Sequence, residues 1–218
     1  MLKGVAASKS KAKPYHHGDL RNALLQAALK LLAESGQENL SLREVAVRAG
    51  VSSGAPYRHF ENKEALLAAL AEGGFRRLES AIAEAVAKHP QHPVKQLREI
   101  ARTYLGMAEE NPPFFKVMFG PYDTHDPVQK DVIPICEKVF MDLAGIFIKG
   151  IADGHLRKQD PERMALSYWA MLHGLSMLLI DKKLGGFQQP GHPLIDLLLD
   201  TAERHAQGFQ TSAATGKN

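Results

Sequence analysis

Residues 42–60 read LREVAVRAGVSSGAPYRHF, and this stretch predicts two short helices joined by a glycine turn. Its first half has the apolar spacing of a short helix, predicted over 42–49 and ended by Gly50. A second helix is predicted over 53–60, after the turn Gly50-Val51-Ser52. The residues expected to face inward from the first helix are Leu42, Val45, Ala46 and Ala49. Two short helices joined by a glycine-containing turn are typical of the helix-turn-helix, whose second helix enters the major groove of DNA.

The position of Pro56 limits the second predicted helix. Proline costs about 3 kcal/mol in a helix interior, but in the first turn its missing N–H has no helical partner to lose. With Ser53 as the N-cap, Pro56 loses no hydrogen bond, and with Ser52 as the N-cap it loses one. The pattern therefore predicts a short helix that presents free N–H groups, and the positive end of its dipole, to a phosphate or a base edge.

The rest of the sequence predicts an all-α protein. Further helices are predicted over 19–35, 63–88, 93–110, 112–119, 128–153, 161–183 and 193–208. Ser41 with Glu44 forms a capping box, and Asp160-Pro161 is a clear helix start. No segment has the alternating period of a half-buried strand. The predicted organisation is a disordered basic arm at 1–14, a three-helix helix-turn-helix DNA-binding domain at 15–63, a helical domain at 64–208 and a disordered tail at 209–218.

Charge is unevenly distributed along the chain. Residues 1–63 carry ten Lys and Arg against five acidic residues, whereas the remaining residues carry 17 against 19. A basic N-terminal third favours a module that binds a polyanion, although a solvated basic face is a common alternative. The arm lysines Lys9, Lys11 and Lys13 fit either a solubilising tail or an arm that tracks DNA.

Several classes of protein are disfavoured by composition. Cys136 is the only cysteine, so an intrachain disulfide and a cysteine-based zinc site are excluded. The ten histidines include no pair near carboxylates at ligand spacing on a predicted helix, so we predict no metal and no cofactor. The longest apolar run, at 169–180, is shorter than the roughly 20 residues that span a bilayer. Without a signal-peptide pattern, the expected compartment is the cytoplasm, with no membrane association.

Three quoted stretches resemble one family. LREVAVRAGVSSGAPYRHFENKEALL, from residue 42, resembles the DNA-binding signature of the TetR family of transcriptional regulators. YHHGDLRNALLQAALKLLAESG, from residue 15, is similar to the first helix of that family. YWAMLHGLSMLL, from residue 168, resembles the Trp…His-Gly element of one subgroup's C-terminal domain. The sequence departs from the family at Pro56, where a bulky aliphatic residue usually precedes the tyrosine.

The resemblance implies a set of DNA contacts. Tyr57, His59 and Lys63 would reach phosphates, and Ser41 and Arg43 would lie near the backbone at the other flank. Arg58, with Ser53, Gly54 and Ala55 at the helix start, would face base edges. Alternatives remain for four of these residues: Tyr57 could be a core aromatic, His59 could cap its own helix, and Lys63 and Arg43 could be plain solvated charges.

The resemblance also implies a homodimer whose C-terminal domain binds a small molecule. The helices at about 161–183 and 193–208 have wide apolar faces that could pair with their symmetry mates as a four-helix bundle, or could form the monomer core. The candidate pocket residues are Tyr104, Met107, Phe115, Met118, Phe119, Tyr122, Met141, Trp169 and His173. Their apolar character favours a hydrophobic or aromatic effector, with core packing as the alternative for each residue.

The leading hypothesis is a dimeric DNA-binding regulator, a repressor released from a near-palindromic operator by a small, mostly hydrophobic effector. One alternative is a constitutive DNA-binding protein without an effector. Another is an all-α enzyme that uses the region of Tyr104, Trp169 and His173. The enzyme is disfavoured because we find in the sequence no paired carboxylates, no nucleophile with a base and no phosphate-binding glycine loop.

Overall fold

The computed structural model describes residues 20–120, 132–187, 191 and 193–211. Its α-helices are α1 (Leu20–Ser35), α2 (Leu42–Ala49), α3 (Lys63–Lys88), α4 (Pro93–Glu110), α5 (Pro112–Met118), α6 (Val132–Ala152), α7 (Pro161–Ile180) and α8 (Leu194–Gln207). Short 3-10 turns cover Pro56–Arg58 and Gly185–Phe187. Within these described residues no strand forms, and Leu156 pairs with Gln210 as an isolated bridge. The predicted all-α fold class is confirmed.

Local capping explains where the helices begin and end. The Ser41 hydroxyl accepts a hydrogen bond from the Glu44 N–H (3.2 Å) at the start of α2. Gly50 ends that helix with φ +70°, a left-handed conformation that favours glycine. Asn62 caps α3 by accepting from the Ala65 N–H (2.8 Å), and Asp160 caps α7. These side chains satisfy N–H groups that the first helical turn leaves unpaired.

The predicted helix over 53–60 is wrong. The Ala55 N–H donates to the Ser52 carbonyl (2.9 Å), and a single 3-10 turn then covers Pro56–Arg58. A proline near a helix start is compatible with either an α-helix or a 3-10 turn, and here the buried Pro56 takes the 3-10 turn. One 3-10 turn has no appreciable macrodipole, and the expected end-on anion site at a helix N-terminus therefore does not form.

The long helix α3 joins two parts of one continuous core. α1, α2 and the 3-10 turn pack around the start of α3 and form the head, residues 20–62. Further along, α3 packs against α4, α5 and α6, while α4 also packs against α7 and α8. We call residues 93–211 the sensor. The core runs without a break from Leu24 in the head to Phe147 and Tyr168 in the sensor.

Other boundaries differ from the predictions. α7 ends at Ile180, three residues before the predicted end. The tail predicted at 209–218 is ordered at its start, because Phe209 is buried and its carbonyl accepts from the Arg157 N–H (2.8 Å). The rest of that tail, the arm at 1–14 and the first four residues of the helix predicted over 128–153 lie outside the described residues. None of the described helices is both long and apolar enough to cross a membrane.

Candidate functional site

The head is a rigid scaffold for an exposed turn. Leu40, Val45 and Phe60 are buried between α1, α2 and the start of α3, and they anchor both ends of the stretch that carries the turn. Arg48 on α2 forms a two-pronged ion pair with Glu34 on α1, with Nη1 to Oε1 at 2.7 Å. Because this pair is exposed, it contributes little stability, and the buried side chains hold the two helices together.

The turn exposes a run of aromatic and cationic side chains. Tyr57 is 53% exposed, and Arg58 and His59 are exposed beside it. The alternative of Tyr57 as a core aromatic is therefore wrong, and the buried residue of the turn is Pro56. The His59 backbone N–H closes the turn by donating to the Pro56 carbonyl (2.9 Å). The His59 side chain is exposed to solvent. The structure thus brings a phenol, a guanidinium and an imidazole to one exposed turn.

The other predicted DNA-contacting residues differ in how free they are. Arg43, Ser53 and Gly54 are exposed, and Ala55 is half-buried. The Ser41 hydroxyl donates to the Glu44 carboxylate (2.9 Å) while it caps α2, so its proton is already used.

Lys63 is bound to the head. Its Nζ donates to the Gln37 carbonyl (2.6 Å), with the Glu38 carbonyl at 3.5 Å. The alternative of a plain solvated charge is therefore wrong for this residue. Sequence analysis also missed Arg21, whose guanidinium carbon lies 5.5 Å from the centre of the Phe60 ring. This cation–π contact puts another positive charge on the head.

A cavity of about 40 Å³ lies among α3, α4, α6 and α7. Its walls are Phe75, Leu78, Ile82, Ile100, Tyr104, Phe119, Cys136, Val139, Phe140, Leu143, Trp169 and Leu172. Three of the predicted pocket residues, Tyr104, Phe119 and Trp169, therefore line it. The remaining walls are almost entirely apolar.

A short hydrogen-bonded relay supplies polar groups at this cavity. The Trp169 indole N–H donates to the Tyr104 hydroxyl oxygen (3.0 Å), and that hydroxyl lies 3.0 Å from His173 Nδ1. Burial raises the pKa of Tyr104 far above its usual range, and burial lowers the pKa of His173. Both groups are therefore held neutral, and Nδ1 of a neutral His173 can accept a hydrogen bond from the Tyr104 hydroxyl. The Trp169 N–H, the Tyr104 hydroxyl and His173 Nδ1 are therefore hydrogen-bonded to one another.

The remaining predicted pocket residues lie elsewhere. Met107, Phe115 and Met118 are buried behind the cavity wall. Met141 is 49% exposed on the outer surface of α6, so its assignment to the pocket is wrong. The α6 residues that face the cavity include Val139 and Phe140, and the next helical residue points about 100° further round. Tyr122 lies outside the described residues.

Sequence analysis missed most of the cavity wall. Phe75, Leu78 and Ile82 recur on one face of α3, and Cys136, Val139, Phe140 and Leu143 recur on one face of α6. This helical spacing was visible in the sequence and indicates buried faces. It does not distinguish a face that lines a cavity from one that packs fully.

The sensor also exposes an apolar stripe. Leu166 and Leu178 on α7 are 51% and 43% exposed, with exposed Ala170 and Gly174 between them on the same helix face. Leu197 on α8 is exposed as well. In the described part of the chain, no group of three His, Cys, Asp or Glu side chains is placed to hold a metal ion.

Two family models match successive parts of the chain. Residues 24–70, which hold the exposed turn, match the model for bacterial regulatory proteins of the tetR family. Residues 97–202, which hold most of the sensor, match the tetracyclin repressor-like C-terminal domain. The chain belongs to the TetR family. Both models describe bacterial regulatory or repressor-like proteins, and the alternative of an all-α enzyme is therefore wrong. Membership of the Trp…His-Gly subgroup stays a prediction.

Individual relatives match to different extents. The class C tetracycline repressor protein of Escherichia coli is 52% identical over 52 residues, which is 24% of either chain. The match therefore spans about a quarter of that repressor's length. The nucleoid occlusion factor SlmA of Yersinia pseudotuberculosis is 28% identical over 159 residues, 71% of this chain and 80% of SlmA. A solved structure of a protein of unknown function from Rhodococcus sp. RHA1 is 31% identical, with a TM-score of 0.74 over 92% of this chain and 100% of the other.

Proposed function

We propose that this TetR-family regulator is a cytoplasmic homodimeric repressor, released from a near-palindromic operator by a small hydrophobic effector. The observation that carries the proposal is the pairing of two sites on one helix. The exposed run Tyr57–His59 lies just before the start of α3, and Phe75, Leu78 and Ile82 of the same helix line the cavity. A change of sensor packing that tilts α3 would move the head with it.

On the DNA side, the head supplies side chains for base contacts and for phosphate contacts, and sequence-specific binding needs both. Arg58 is exposed and can form a bidentate contact with guanine, with Ser53, Gly54 and Ala55 close enough to the turn to face bases. Tyr57, His59 and Arg43 would bind phosphates and set the register. Ser41 and Lys63 would support these contacts near the backbone, although both already hold the head together through hydrogen bonds.

The exposed stripe of α7 supports the homodimer. Leu166 and Leu178 would be covered by the partner's stripe, and small Ala170 and Gly174 between them would let the two helices approach closely. Leu197 extends the apolar surface to α8, so four helices would meet about a twofold axis. A dimer of this kind places two heads on successive turns of one DNA face.

The walls of the cavity limit the effector. A charged group placed among the side chains of α3, α6 and Trp169 would lose its hydration with no opposite charge to replace it. The Trp169 N–H, the Tyr104 hydroxyl and His173 Nδ1 are already paired with one another. An uncharged, largely apolar compound therefore fits best, and the wall must move to admit it, because a cavity of about 40 Å³ is small.

Selection from a library of random duplexes tests the DNA-binding half. Wild-type protein should enrich a near-palindromic site, and the logarithm of its affinity should fall linearly with the logarithm of salt concentration, because phosphate contacts release counterions. An affinity that stays constant between low and moderate salt would contradict phosphate recognition. Sequences enriched without twofold symmetry would contradict the paired heads.

Thermal unfolding with a panel of apolar compounds tests the effector half. A compound that binds the cavity should raise the unfolding midpoint, quench or shift the fluorescence of the single tryptophan, Trp169, and weaken operator binding. Constitutive DNA binding without an effector is the second candidate. The small cavity volume favours it. A panel that leaves both the midpoint and the fluorescence unchanged would select this second candidate.

A further inference from the structure

The helix α5 lies between the cavity and the head. The residue after its C-terminal end, Phe119, lines the cavity, and the residue before its first turn, Asn111, contacts α1. At about 1.5 Å per residue, these two residues are about 12 Å apart along the helix axis. A displacement at one end of such a short helix moves the other end too.

Asn111 makes two bonds with the two ends of one amide. Its Oδ1 accepts from the Phe114 N–H (3.1 Å) and caps α5. Its Nδ2 donates to the Leu29 carbonyl (3.3 Å), which belongs to α1 in the head. The same side chain therefore fixes the start of α5 and attaches it to a helix that packs directly on α2.

The far end of α5 is packed tightly against α3. A Cβ built on Gly74 would lie 2.4 Å from Met118 Sδ, so the methionine occupies the space that any larger residue would fill. Phe119 packs edge-on against Phe75, with ring centres 5.4 Å apart. The cavity of about 40 Å³ is far smaller than the roughly 300–1,000 Å³ of a typical ligand site, so an organic compound must displace Phe119 or its neighbours.

We infer that Asn111 is a positioning residue for the effector response. A displacement of Phe119 and α5 would reach α1 through the hydrogen bond from Asn111 to the Leu29 carbonyl. Its regulatory meaning rests on the proposed function, whereas the mechanical coupling does not. This route acts directly on the helix that packs against α2, beside any tilt of α3. Removing the Asn111–Leu29 hydrogen bond should therefore uncouple the head from the cavity while the residues of both binding sites stay unchanged.

The lone cysteine allows a test without a known effector. Cys136 lines the cavity, so methyl methanethiosulfonate can attach a methylthio group there and fill it. Burial raises the pKa of the Cys136 thiol, so the reaction is run at mildly alkaline pH and its completeness is read by mass. Amide hydrogen exchange of peptides from α1 and α2 then reports whether the head responds. Cys136→Ala, treated with the same reagent, controls for labelling elsewhere.

Two variants isolate the bond to α1. Asn111→Ser keeps an acceptor for the Phe114 N–H but is too short to reach Leu29, and Asn111→Asp keeps the cap while it loses the donor. The matched control is Asp160→Ser, a similar change at the cap of α7, whose backbone partners Glu162 and Arg163 lie in its own helix. Circular dichroism and Trp169 fluorescence show which variants are folded. If Asn111→Ser is unfolded, the exchange experiment is done with Asn111→Asp.

We expect labelling to change exchange in α1 of the wild type by about threefold or more, and to change it less than half as much in either Asn111 variant. Asp160→Ser should respond like the wild type. An equal response in the Asn111 variants, or no response in the labelled wild type, would overturn the inference. If exchange in α1 responds as expected but labelling leaves operator affinity unchanged, the coupling stands and the proposed release from DNA fails.

Discussion

Arg58 and Lys63 are two cations of the head with different surroundings. Arg58 is exposed on the turn, whereas the Lys63 Nζ is held by the Gln37 carbonyl. Arg58→Ala should relax sequence preference, because a guanidinium bidentate to guanine is worth about 1–3 kcal/mol of discrimination. Lys63→Ala should weaken binding to all duplexes alike and lower the salt slope by about one. Dissociation constants for the selected operator and its single-base variants, at several salt concentrations, separate the two effects. Arg102→Ala, an exposed arginine of the sensor, is the control, and identical behaviour of the two head variants would contradict this division of roles.

At the same scale, His173 makes stability depend on pH. Burial lowers the pKa of both His173 and His205 in the folded protein. Below the ordinary histidine pKa of about 6.5, the unfolded chain therefore binds more protons than the folded one. The free energy of unfolding should therefore fall as the pH drops below about 6.5, and it should be steady above. His173→Gln should make that fall shallower, since one of the two groups is removed. Urea unfolding followed by Trp169 fluorescence from about pH 5 to pH 7.5 measures the slope. His92→Gln, at an exposed histidine, should keep the wild-type slope, and a His173 variant with that same slope would rule out this source.

At the scale of elements, two neighbouring glycines of α3 should respond in opposite directions to the same substitution. Gly73 is exposed with open space around it, so Gly73→Ala should stabilise the protein by about 0.5–1 kcal/mol through helix propensity. Gly74 lies against buried Met118, and Gly74→Ala should destabilise by about 1–3 kcal/mol, because the methionine must shift out of close packing to admit the added methyl group. Urea unfolding of both variants measures the difference. A stabilised Gly74→Ala protein would show that α5 is not packed against α3 as described.

The elements also show how far local sequence determines this molecule. α2, α3 and α7 begin where Ser41, Asn62 and Asp160 predict, because an N-cap depends only on the next three residues. The predicted helix over 53–60 failed because a proline near a helix start allows either an α-helix or a 3-10 turn, and tertiary packing of Pro56 decides between them. The cavity was only partly predictable. Whether Met141 or Val139 faces it depends on the rotation of α6 against α3 and α7, which no local pattern fixes.

At the scale of the whole molecule, one chain presents a single head, and a palindromic operator needs two. The exposed α7 stripe offers a surface for a second copy, because monomeric proteins rarely leave contiguous large apolar side chains in water. Linking two heads turns the second DNA contact into an intramolecular event and raises operator affinity by orders of magnitude. Dimerisation and operator affinity should therefore be lost together.

Ala170 lies in the middle of that stripe and is the position to change. Ala170→Arg puts a long charged side chain between Leu166 and Leu178, where two helices would otherwise meet closely, so the variant should sediment as a monomer at micromolar concentration. Its affinity for the palindromic operator should fall at least about a hundredfold, while affinity for a half-site should change little. Ala83→Arg, on the exposed face of α3, adds the same charge away from the stripe and should remain dimeric. If Ala170→Arg stays dimeric, the dimer interface does not lie on the α7 stripe. If the wild type is monomeric, the proposed twofold-symmetric binding to the operator is wrong.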